Sequence, residues 1–75
     1  METPGSRVAA AVRAEMARRL IRQQAVAEAL RLSQAAVSRR LSGEVEFTVG
    51  ELSTVAALLG MPVTSLMAEP EAAAS

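Results

Sequence analysis

The chain has 75 residues, enough for one domain, and its 22 Val, Leu, Ile, Met and Phe residues with 16 Ala supply one small core. It contains no Cys, His, Asp, Asn, Lys, Tyr or Trp, which removes disulfides, thiolate chemistry and any imidazole or lysine base, and leaves a metal site to glutamates alone. The net charge is zero, yet residues 1–43 carry all eight Arg and three Glu, a net of +5, while residues 44–75 carry five Glu and no Arg, a net of −5. An enzyme is close to excluded, and no cofactor or small-molecule site is evident. With Phe47 the single ring, a surface that stacks bases on aromatics is excluded as well. The charge division suggests a polyanion-binding half, although arginines spread over solvated helix faces would give the same count.

Residues 1–5 show no periodic apolar pattern and contain Pro4 and Gly5; they read as a flexible arm. Ser6 is an N-cap candidate. Val8, Val12, Met16 and Leu20 recur every fourth residue, a helical stripe. No Gly or Pro interrupts residues 6–30, so periodicity alone permits one long helix there. Ser33 is the next start signal, ahead of Gln34 to Leu41, and Gly43 stands where a left-handed C-terminal residue belongs. Thr48 and Glu51 form a capping box before Leu52, Val55, Ala56 and Leu59. Gly60 and Pro62 stop that helix, and Thr64 is a candidate cap for a last turn with Leu66 and Met67. Residues 68–75 read as a tail. Strand signals are poor, so the class is all-α. No stretch approaches the roughly 20 apolar residues of a membrane span, and the N-terminus lacks a signal-peptide core. The expectation is a soluble, cytoplasmic protein with no membrane partner.

Residues 23–42 are the most informative segment. Two short helices that cross steeply need a small residue in the first, so that the second approaches closely, and Ala27 supplies it. Val26 and Leu30 flank it on the inner face. Leu32 is the apolar residue of a tight turn, Ser33 caps the second helix, and Val37 is its buried anchor. This is the arrangement that presents a second helix to the major groove of DNA.

The stretch Gln23-Gln24-Ala25-Val26-Ala27-Glu28-Ala29-Leu30, followed by Leu32-Ser33-Gln34 through Arg39, resembles the helix-turn-helix of the phage repressor and Cro family (lambda repressor-like, XRE-type). Phe47 to Leu52, then Val55 to Val63, resembles that family's fourth helix and the turn into its fifth, and Val8, Val12 and Arg13 resemble its first. The resemblance covers about Val8 to Met67. It implies a bundle of five short helices within residues 6–67 and splits the long first helix near Leu20 to Arg22. Three positions depart from the family pattern. Arg31 stands where a turn Gly is usual, Arg40 where an apolar residue is usual, and Leu41 where an acidic residue often pairs with an Arg of the first helix, here Arg13.

At about 100° per residue, Val37 and Leu41 point inward and Ala35, Ser38, Arg39 and Ser42 point away, with Gln34 at the helix tip. Gln34 is a candidate to bond adenine, Ala35 to meet a thymine methyl, and Ser38 to bond a base edge or a phosphate. Arg39 can read guanine or clamp a phosphate, and its place further along the helix favours phosphate. The resemblance makes Gln23 a phosphate ligand beside the helix N–H groups, with Arg22, Arg40 and Arg31 adding salt-dependent attraction. Arg7, Arg13, Arg18 and Arg19 read as solvated face or intramolecular pairs. Glu44 and Glu46 are expected to face away from DNA or to limit non-specific binding. The function implied is a sequence-specific double-stranded DNA-binding regulator, a phage-type repressor or Cro-like switch acting as a homodimer through its last helices or the tail, near Val63, Leu66 and Met67. The alternative is a protein-interaction module such as an antitoxin or anti-repressor.

Overall fold

A computed structural model describes residues 3–67, which form five helices: α1 (Pro4–Arg19), α2 (Gln23–Leu30), α3 (Gln34–Leu41), α4 (Val49–Leu59) and α5 (Val63–Met67). There is no strand among the described residues. The all-α expectation and the count of five are met. The tail over 68–75 lies outside the described residues.

Helix starts follow local chemistry. Ser33 caps α3, its hydroxyl accepting from the Ala36 N–H at 3.1 Å. Thr48 and Glu51 close the capping box of α4 in both directions, at 3.1 and 3.0 Å. At α1 the cap is Thr3, not Ser6: the Thr3 hydroxyl accepts from the Ser6 N–H, and Pro4 occupies the first turn. Pro at this place loses no bond, because the first N–H groups of a helix are unpaired anyway. Of the expected arm, Thr3 to Gly5 are therefore cap and first turn, while Met1 and Glu2 lie outside the described residues. Likewise α5 begins at Val63, after Pro62, whose carbonyl accepts from the Ser65 N–H at 3.1 Å; Thr64 lies inside it.

The ends of α1, α2 and α4 share one device. At Leu20 (φ 57°), Arg31 (φ 58°) and Gly60 (φ 73°) the chain turns left-handed. In each case the next residue reaches back five positions: Ile21 N–H to the Met16 carbonyl, Leu32 to Ala27, and Met61 to Ala56, all at 2.9–3.0 Å. This is the Schellman pattern, completed by an apolar contact just beyond the turn. Ile21, Leu32 and Met61 all pack against the core. The break between α1 and α2 is thus enforced by burial of Ile21, with no Gly or Pro needed, and it falls where the resemblance placed it.

One valine from each of the first four helices, Val12, Val26, Val37 and Val55, is fully buried, and Leu66 of α5 completes the centre. Burying one such aliphatic side chain contributes about 1.5–3 kcal/mol, which is what fixes a helix as short as α5. α4 packs against α1, α2 and α5, while α3 packs on α2 and α1. Ala27 is buried in α2, a helix that packs on both α3 and α4.

Candidate nucleic-acid interface

Because α3 rests on α2 and α1 by Val37 and Leu41, its other flank is open. Gln34, Ala35, Ser38, Arg39 and Ser42 are all exposed. The structure therefore brings the three expected base-reading residues, Gln34, Ala35 and Ser38, onto one free surface together with Arg39. The Gln34, Ser38 and Arg39 side chains have no hydrogen-bond partner among the described residues.

α2 presents its N-terminus beside this flank. Gln23 is its first residue, and the Gln23 Nε2 donates to the Gln34 main-chain carbonyl at 3.0 Å. Arg22 occupies the N-cap position and is exposed; no side chain caps α2. The first N–H groups of this helix are thus left for solvent or a ligand, with an arginine alongside. Arg31, in the turn between α2 and α3, is exposed too.

Arg40 is placed differently from the other site candidates. It is half-buried, its Nε donating to Glu51 at 3.0 Å and its Nη1 to the Ala36 carbonyl at 3.1 Å. The guanidinium expected on phosphate is spent on tying α3 to the start of α4. Burial pushes the Glu51 carboxyl up, but the Arg40 hydrogen bond, the Thr48 N–H and the Arg40 charge outweigh it and hold the group below its ordinary value of 4.5. Sequence reasoning missed this pair because its members lie 11 residues apart in different helices. The signal available was the unusual Arg at an inward position of α3.

Two further placements were not foreseen. Arg13, which lacks an acidic partner at position 41, donates instead to the Leu41 main-chain carbonyl at the end of α3. Glu46 lies against Gly5: a Cβ there would come within 2.8 Å of the Glu46 Cγ and 3.0 Å of its Oε2. The first turn of α1 has no acidic residue of its own, so Glu46 supplies negative charge to that helix start.

Two short helices joined by a tight turn, the second docked over an alanine with its polar flank outward, define a helix-turn-helix protein of the DNA-binding type. A family model described as Helix-turn-helix matches residues 12–66. The chain belongs to this family, the XRE and lambda repressor-like helix-turn-helix regulators, which bind DNA. Neither the curated proteins nor the solved structures give a match. No helix among the described residues is long and apolar enough to cross a membrane, and no group of side chains there could hold a metal.

Proposed function

We propose that the chain is a sequence-specific regulator of the phage repressor or Cro type, working in the cytoplasm on a double-stranded operator. The observation that carries this is the single open flank of α3. Gln34, Ala35 and Ser38 read base edges in the major groove, Gln34 by bonding adenine. Gln23, Arg22 and Arg39 hold phosphates at the groove's edge. Arg40 serves the interface by positioning α3 on α4. Two copies bind related half-sites, since one small module covers too little DNA for tight binding.

The expected pairing surface needs narrowing. Leu66 is buried and Val63 half-buried, whereas Met67 is exposed. Met67 and the exposed Val49 rim a shallow apolar groove of about 180 Å³ with Val8, Phe47 and Leu52, and this is the surface we assign to the second copy.

The test is binding to duplex DNA as a function of salt. Affinity should fall steeply between about 50 and 200 mM salt; affinity indifferent to salt would refute the reading and favour a protein-interaction module. Gln34→Ala should relax base preference at one position by about 1–3 kcal/mol, whereas Arg39→Ala should weaken all sequences alike. Equal losses on every sequence from both changes would overturn the division of roles.

A further inference from the structure

Beside the α3 flank opens a cleft of about 500 Å³ lined by Arg13, Gln23, Ser38, Leu41 and Ser42. α1, the start of α2 and the second half of α3 each contribute a wall. Arg13 uses one N–H on the Leu41 carbonyl. A guanidinium carries five donors, and the rest find no acceptor among the described residues. Nor does its charge meet a carboxylate among the described residues, whereas Arg18 and Arg19 pair with Glu15 and Arg40 with Glu51. The Ser38 hydroxyl has no partner among the described residues, and the Gln23 amide stands opposite with one N–H committed to Gln34. The cleft thus holds one uncompensated positive charge and several neutral donors, and no anion.

That donor set matches a phosphate oxyanion, which accepts from a guanidinium in a fork and takes further hydrogen bonds from hydroxyl and amide. We propose that this cleft seats one phosphate of the DNA backbone, with Arg13 as its charged ligand and Ser38 and Gln23 as neutral donors. The proposal rests on the DNA-binding reading above and deepens it. It takes the backbone rather than the base edge as the target of Ser38, the second of the two roles its hydroxyl allows, and gives Arg13 a ligand outside the chain. The competing role for Arg13 is purely internal, a cation closing the carbonyl end of α3.

Salt dependence separates the two. Each phosphate neutralised on duplex DNA contributes about 0.9 to the slope of log affinity against log salt. The full chain, Arg13→Gln, Arg13→Lys and Arg18→Gln are titrated against one duplex over a salt series, with a thermal melt of each. Arg13→Gln keeps an amide donor for Leu41 but loses the charge, and its slope should drop by about one. Arg13→Lys and Arg18→Gln, the latter removing an exposed cation of the same helix, should keep the parent slope. An unchanged slope in Arg13→Gln overturns the proposal, as does a Lys variant that loses as much slope as Gln. If Arg13→Gln does not fold, Ser42→Glu places a carboxylate in the cleft without touching α1; it should reduce the slope by at least one, and parent-like binding would overturn the seat. A parent chain without salt-dependent binding would instead sink the DNA-binding reading itself.

Discussion

Arg31 closes α2 with φ 58° and ψ 43°, a left-handed geometry in which the Cβ of an L-residue crowds the following carbonyl at a cost of about 1–2 kcal/mol. Its side chain is exposed and forms no hydrogen bond or ion pair among the described residues, so nothing local offsets that cost; the Leu32 anchor imposes it. Arg31→Gly removes the crowding but gives the unfolded chain more freedom, which returns about 0.4–1 kcal/mol. Pairing like ends of the two ranges, the net gain is about 0.5–1 kcal/mol. For a domain of this size each kcal/mol moves the melting temperature by about 4–8 °C, so the variant should melt roughly 2–8 °C higher when the helical circular dichroism signal is followed. Gly60→Ala is the mirror experiment: at φ 73° a new Cβ would meet nothing within 4 Å, so any loss reports backbone conformation alone, and the melting temperature should fall. If Arg31→Gly melts no higher and Gly60→Ala no lower, the left-handed turns are not strained and the reasoning fails.

Two other perturbations probe the contacts that hold α3 in place. Ala27→Leu overpacks the buried face of α2, which packs on α3 and α4, and should cost about 1–3 kcal/mol, lowering the melting temperature and DNA affinity together; parent-like values for both would show that the small residue is not required. Glu51→Gln keeps an acceptor for Thr48 but removes the charge that pairs with Arg40, and should cost about 1 kcal/mol near neutral pH. Since the folded carboxyl titrates below its ordinary value of 4.5, its stabilisation is complete above that value and is lost as pH falls through the folded pKa. Melts across pH should show the gap between parent and Glu51→Gln narrowing below pH 4.5; a gap independent of pH would discount the pair.

The sequence disclosed what short-range chemistry decides. The Ser33 cap, the Thr48–Glu51 box, Gly43 and Gly60 past their helices, and the outward set on α3 all follow from residues within one or two turns of each other. The break at Leu20 did not show itself in local signals, because its cause is the burial of Ile21 against a core assembled from distant segments; only the likeness to a known family located it. Pro4 suggested a loose arm when read alone, and became a helix start once Thr3 was seen to cap it. The Arg40–Glu51, Arg13–Leu41 and Glu46–Gly5 contacts join separate helices or their connections, so spacing along the chain carries no trace of them. The candidate interface was legible where it lies on one helix and illegible where a partner comes from elsewhere.

The Gln23 side chain that spans to the Gln34 carbonyl works as a caliper between two helix tips. It sets the separation of the tip proposed to grip the sugar-phosphate rail from the tip proposed to enter the groove, so a duplex whose groove width departs from that setting meets one contact only by giving up the other. Shortening the caliper, as Gln23→Ser would, therefore alters tolerance to groove shape on top of whatever direct contact is lost.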